Sequence, residues 1–306
     1  MQIYSVREQR LGHLAALFTV INWGTTFIAT KILLEGFSPV EILVYRFLFG
    51  LIALTLACPR RLRVGNWRRE LVFAGAGLTG VCLYYLLENL SLTMTTAANA
   101  GVVVSSAPLF TALLALIISR GKERVKANFY VGFLVAMAGI CLISYDGAGF
   151  TVAVKGDLLA MGGAIAWAFY SMLTRKIASY GYSNVLTTRR IFAYGLIFMI
   201  PAACVLDFRW GFERLQQPEY IGMLLYLGIG ACAVCFATWN YAVRILGAVP
   251  CSAYLYVTPV ITVACSALIL HEAVNAQSVV GAGLTLMGMA LSEWDVLREL
   301  FRRKNT

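Results

Sequence analysis

The sequence predicts an all-α integral membrane protein, with ten transmembrane helices in two inverted five-helix repeats. Three observations predict it. The 306 residues are 60% hydrophobic and only 13% charged, about half the charge of an ordinary soluble chain. So few polar side chains cannot cover a globule in water, which excludes a disordered chain, a collagen-like fibre and a soluble enzyme. The apolar residues also fall into ten runs of roughly the 20 residues a helix needs to cross about 30 Å of hydrocarbon with every backbone group bonded internally. Finally, landmark residues of the first five runs recur in the last five.

The first run, 11–34, lacks a small-residue cleavage site behind it and reads as a retained span rather than a signal peptide. The second, 39–58, carries Arg46 roughly 10 Å of helix from its start, where it is expected to snorkel outward or pair with Glu41 or Glu35 in a structural role. The third, 71–90, ends in Tyr84, Tyr85, Glu88 and Asn89, and the fourth, 97–118, holds Pro108 at mid-length. The fifth, 127–145, contains Gly132 and Gly139. The sixth, 157–178, follows a small-residue seam of Gly156, Ala160, Ala164 and Ala168, which suits close helix packing. The seventh, 184–206, opens with Arg189 and Arg190. The eighth, 220–241, carries Phe236, Trp239 and Asn240; the ninth, 248–270, carries Pro259; the tenth, 277–292, carries Gly281 and Gly288.

The net charge of +10 belongs to this pattern and not to nucleic-acid binding. Lys and Arg concentrate in alternate connections: Arg7 and Arg10, the 60–69 cluster, the 120–126 cluster, Arg175 and Lys176, Arg244 and the C-terminal tail. The other connections hold little beyond Lys31, Lys155, Arg209 and Arg214. That asymmetry places both termini in the cytoplasm. The eight cysteines lie in or beside apolar runs and form no disulfide framework; Cys232 and Cys235 read as small lipid-buried residues.

The repeat is read from matched landmarks. Trp23, Lys31 and Arg46 correspond to Trp167, Arg175 and Arg190 with a shift of 144. Asn89 and Pro108 match Asn240 and Pro259 with a shift of 151, and Gly132 and Gly139 match Gly281 and Gly288 with a shift of 149. The repeats are expected to occupy 1–146 and 147–306. Five is an odd number of crossings, so the second copy enters from the opposite face. Inverted copies around an axis in the membrane plane create a midplane site that can open to either side.

Candidate site residues follow from polarity at membrane depth, which belongs on the bundle interior. On the first span Asn22, Trp23 and Thr26 share a face with Thr19 and Thr30. On the sixth, Trp167, Tyr170 and Ser171 share one with Thr174. Tyr84, Glu88 and Asn89 on the third span are answered by Trp239 and Asn240 on the eighth, and Tyr256 joins them from the ninth. The aromatic groups offer stacking or cation–π surfaces to a solute. The alternative use of these groups is packing and hydrogen bonding between helices. A mid-depth carboxylate costs about 2.5–3.5 kcal/mol on insertion scales. Glu88 therefore either holds an ammonium group or exchanges a proton, unless it forms a buried structural pair or reaches interfacial water. Pro108 and Pro259 each remove a backbone hydrogen bond and serve as a gate or a rigid kink.

The motifs Asn22-Trp23-Gly24, Glu88-Asn89 with Ala97-Ala98-Asn99, the paired Pro108 and Pro259, and His271-Glu272, where the family often shows Gly-Glu, carry a resemblance. The chain resembles the EamA-type permeases of the drug/metabolite transporter superfamily over nearly its whole length. The resemblance implies export or exchange of small organic solutes, often amino acids or related metabolites.

No P-loop, no H-E-x-x-H (position 275 is Asn) and no G-x-S-x-G occurs, so neither catalysis, a metal nor a cofactor is expected. The expected partners are a small-molecule solute and the lipid bilayer of a bacterial inner membrane. Proton coupling and the choice of monomer or homodimer stay open. The alternative functions are a lipid flippase of the same architecture and, after it, a membrane enzyme.

Overall fold

The computed structural model describes residues 5–118, 127–144, 152–206, 208–246, 254–255, 257–272, 275–292 and 294. Their regular structure is helical throughout. Helix α1 (Val6–Leu33) starts at Ser5, whose hydroxyl accepts the Glu8 amide while the Glu8 carboxylate accepts the Ser5 amide. The same reciprocal capping by Ser38 and Glu41, with Pro39 at the first position, opens α2 (Pro39–Ala57). Asn66 caps α3 (Trp67–Leu92), and the Thr96 hydroxyl caps α4 (Ala97–Ile118) through the Asn99 amide. Helix α4 breaks at Ser105–Ser106, just ahead of Pro108, whose ring cannot donate to the preceding turn. There follow α5 (Ala127–Ser144), α6 (Val152–Ala178), α7 (Asn184–Val205), α8 (218–246), α9 (Val257–Ile269) and α10 (Ala276–Ser292). Seven of these helices are long and apolar enough to cross a membrane alone; α5, α9 and α10 are the shorter apolar ones.

Helices α3 and α8 share a local feature that hydropathy does not reveal. Each widens into π-helix, over Leu78–Leu83 in α3 and over Tyr226–Val234 in α8. Such wide turns recur at functional sites. Here they stand at corresponding places in the two repeats.

The packing partners display the inverted symmetry. Helix α1 packs on α8 and α9, and its counterpart α6 packs on α3 and α4. Helix α2 lies against α8, as α7 lies against α3, and the pairs α2–α7, α4–α9 and α5–α10 each join a helix to its own copy. Each of these contacts is therefore mirrored when the repeats are exchanged. Large apolar side chains such as Leu56, Leu134, Ile200, Val205 and Leu268 stay exposed around the outside. In a bilayer that surface meets acyl chains.

The α5–α10 pair shows why the matched glycines are glycines. A Cβ on Gly139 would lie 2.6 Å from the Gly281 carbonyl oxygen, and one on Gly288 would lie 2.3 Å from the Ala136 nitrogen. Only bare backbone allows so close an approach.

Candidate functional site

Two aromatic groups occupy the interior between the repeats. In the first, Tyr84 of α3 packs on Trp167 of α6 with ring centroids 4.8 Å apart, Trp167 meets Tyr170 at 4.8 Å, and Tyr84 meets its neighbour Tyr85 at 4.5 Å. Gly80, in the π turn of α3, makes room for Tyr170: a Cβ there would sit 2.1 Å from its ring. In the second, Trp23 of α1 packs on Trp239 at 5.3 Å and on Phe236 at 5.8 Å, both from α8. Phe236, Phe192, Phe47 and Tyr85 then touch in sequence at 4.9–5.8 Å, so one unbroken chain of rings joins the two groups across the repeat boundary.

Two charged side chains lie against the first group. Arg46 of α2 and Glu88 of α3 are each 1% exposed. The Arg46 guanidinium lies 4.2 Å over the Tyr85 ring, and its Nε donates to Cys232 Sγ at 3.1 Å. Its Nη1 is buried without an acceptor, and both Glu88 oxygens are buried without a donor. Arg46 neither snorkels nor pairs with Glu41 or Glu35, since Glu41 is engaged by Arg214.

The remaining candidates divide between local and interhelical bonds. Trp23 Nε1 donates to the Ala231 carbonyl at 3.1 Å, within the π turn of α8. Asn22 Nδ2 donates to Phe18 in its own helix, Thr26 Oγ1 to Trp23, and Ser171 Oγ to Trp167. Asn89 is fully buried; its Nδ2 donates to the Pro39 carbonyl at 3.0 Å while its Oδ1 has no partner. Helix α8 places Asn240 one residue beyond Trp239, but its side chain, like the whole of Tyr256, lies outside the described residues.

The two ends of the bundle differ. The far end holds residues 34–38, 93–96, 208–217 and 270–272 and is fastened by charge. Lys31 Nζ donates to the carbonyls of Leu92 and Thr95 at 2.6 and 2.8 Å. Thr95 donates to Asp157 at 2.7 Å. The Glu272 carboxylate accepts the amides of Ala97 and Ala98 at 3.0 and 3.3 Å and the Ser266 hydroxyl. Arg214 grips Glu41, which holds the guanidinium above its ordinary pKa.

The near end, holding Ser5 and the 58–66 and 179–183 connections, contains a cavity of about 450 Å³ lined by Leu54, Tyr182, Asn184, Thr188, Phe236 and Tyr241 among others. Of the residues singled out in the sequence, Phe236 lines it and connects its wall to Trp23. No group of three or more His, Cys, Asp or Glu able to hold a metal occurs among the described residues.

The sequence profile of the EamA-like transporter family matches the chain twice, at residues 10–145 and 154–294. The chain belongs to the EamA-like transporter family. It is an all-α, multi-pass membrane protein and a transporter by family. It is 29% identical over 292 residues to an uncharacterized transporter of Archaeoglobus fulgidus, covering 92% of this chain and 96% of that one. It is 25% identical over 278 residues, 90% and 91% of the two chains, to a probable terminal-alkyne amino-acid exporter of Streptantibioticus cattleyicolor. A crystal structure with 22% identity superposes with a TM-score of 0.63 over 94% of this chain and 98% of the other, a likeness of fold.

Proposed function

We propose that this EamA-family protein is a secondary transporter that exports or exchanges small organic metabolites, amino acids or related amines, by alternating access around the interior between its repeats. The carrying observation is the pair of buried, incompletely bonded charges, Arg46 and Glu88, walled by Tyr84, Tyr85, Trp167 and Tyr170. Charges at this depth are expensive and mark solute or ion paths. The near-end cavity and the charge-fastened far end suit one state of such a cycle, with access from the near side. The Lys and Arg distribution supports a cytoplasmic near side, with both termini, in a bacterial inner membrane. The amino-acid exporter among the relatives supports the solute class.

The test is counterflow in proteoliposomes with labelled amino acids, amines and other small metabolites. Saturable, protein-dependent exchange is expected, and Glu88→Gln is expected to abolish it or change its pH profile while leaving the protein folded. Movement of labelled phospholipid alone would transfer the assignment to a flippase of the same architecture. No protein-dependent movement of any solute would refute the reading.

A further inference from the structure

The 58–66 connection at the near end is a strap with two unlike sides. Arg189 of α7 fastens its start by donating to the carbonyls of Cys58 and Arg60. Tyr182 fastens its end, donating to the Val64 carbonyl at 3.3 Å while accepting Arg69 Nη1 at 3.0 Å. Gly65, at φ +65°, then turns the chain into Asn66, the cap of α3. Between these fixings the side chains alternate as in extended chain. Leu62 packs on the core and Val64 is buried, whereas Arg61 and Arg63 are exposed. Arg60 and, in the first turn of α3, Arg68 are exposed as well. Among the described residues none of these four guanidinium groups has a carboxylate on it, and residues 59–69 include no acidic side chain. Trp67 stands beside them, 68% exposed, with the Arg68 guanidinium 5.8 Å from its ring centroid.

We propose that the outer side of this strap binds the phosphate-bearing headgroups of anionic phospholipids in the leaflet at the near end. Orienting the chain in a bilayer requires only that positive charges be present. It does not require a backbone bonded from beneath so that its arginines all face outward. Four unpaired guanidinium groups beside a membrane span have the charge and number that anionic headgroups recognise. Each fork takes phosphate oxygens two at a time, which a lysine ammonium does not reproduce. Trp67 selects lipid over a dissolved anion, because its amphipathic ring belongs at headgroup level with its apolar body toward the acyl chains. The strap also joins two spans, α2 and α3, and so lies where the hydrocarbon ends. Because its backbone is already fixed, little ordering is left to oppose binding.

The experiment reads the lipid at Trp67 by fluorescence quenching. The purified chain is reconstituted in phosphatidylcholine vesicles doped with brominated phosphatidylglycerol or, separately, with an equal fraction of brominated phosphatidylcholine. The Trp67 signal is the difference between the parent and Trp67→Phe. Phosphatidylglycerol is expected to be enriched around Trp67 at least about fivefold over its bulk fraction. No such enrichment is expected around Trp210, an exposed tryptophan of the far end, read in the same way from Trp210→Phe. Replacing Arg60, Arg61, Arg63 and Arg68 together by Gln is expected to abolish the enrichment while the protein elutes as a monodisperse species, and replacing them by Lys to keep part of it. Should the fourfold Gln variant fail to fold, Arg61→Gln with Arg63→Gln takes its place, and the comparison of the two lipids on the unaltered chain decides. Equal quenching by both lipids, equal enrichment at Trp210, or undiminished enrichment in a folded Gln variant overturns the proposal. Displacement of the lipid by inorganic phosphate overturns it too, in favour of a site for dissolved anions. None of these results touches the transporter reading, which stands or falls on solute movement.

Discussion

Arg214 holds Glu41 with both terminal nitrogens, at 2.9 and 3.0 Å, and so ties the connection before α8 to the first turn of α2. The same Nη1 also donates to the Gly36 carbonyl at 2.6 Å, and the second Glu41 oxygen accepts the Arg209 amide. The carboxylate is buried and the arginine partly exposed, which places the interaction between a surface pair and a core pair. Arg214→Gln is expected to cost about 1.5–3 kcal/mol, the range for hydrogen bonds to charged groups, seen as a melting temperature lowered by several degrees in detergent. An unchanged melt would show that the pair contributes nothing net.

Glu272 joins the connection before α10 to the first turn of α4 by accepting the Ala97 and Ala98 amides, where the helix macrodipole favours negative charge. Glu272→Gln removes that charge and leaves a group that donates as well as accepts. A loss of about 1–2 kcal/mol at this fastening shifts an open–closed equilibrium roughly 5- to 30-fold. A cysteine introduced at the fully buried Ser91, compared with the parent chain, is expected to react with an impermeant maleimide faster by that factor in the Glu272→Gln background. Equal labelling rates would count against a closing role for Glu272.

The α5–α10 seam predicts a steep contrast between glycines. Gly139→Leu and Gly288→Leu drive a side chain into backbone atoms that have nowhere to move, whereas a Cβ at Gly283, on the same helix as Gly288, meets nothing within 4 Å. Overpacking costs about 1–3 kcal/mol or more when backbone must shift. The first two variants are expected to melt lower or fail to accumulate, and Gly283→Leu to match the parent in size-exclusion yield.

His271 has φ of +52°, the one non-glycine residue in the left-handed region among the described residues. That conformation costs an L-residue roughly 1–2 kcal/mol, and it is the position where the resembling family often carries glycine. His271→Gly is expected to raise the melting temperature by a few degrees with the hydrogen bonds of Glu272 intact. A lowered melt would mean that the imidazole contributes more than the strain it brings.

The number of helices and their order were legible because a run of about 20 apolar residues has few uses outside a bilayer. The α5–α10 seam was legible as well, since glycines repeated seven apart in both halves mark a close approach. The rotation of each helix about its axis was not. Lipid and protein interior are equally apolar, so hydropathy does not reveal which face points where, and the polar face of α1 looked the same whether it met solute or α8. The structure turns part of it to α8: Thr19 meets Thr238 at 2.7 Å and Trp23 Nε1 donates to the Ala231 carbonyl at 3.1 Å. Arg46 was misread for the same reason. Its depth was known, but the helix face that would carry it to Tyr85 and Cys232 was not. The π turns leave little trace because an inserted residue does not interrupt an apolar run.

The ring contacts that run from Trp239 to Tyr170 contain few directional bonds, and the attraction between aromatic faces changes gently as one slides past another. Tilting one half of the bundle against the other would leave this middle zone much as it is, like the lubricated surface of a bearing. Resistance would gather at the rims instead, where Lys31, Glu41, Arg214 and Glu272 must let go, so the pace of switching should respond to ionic strength more than to the bulk of the solute.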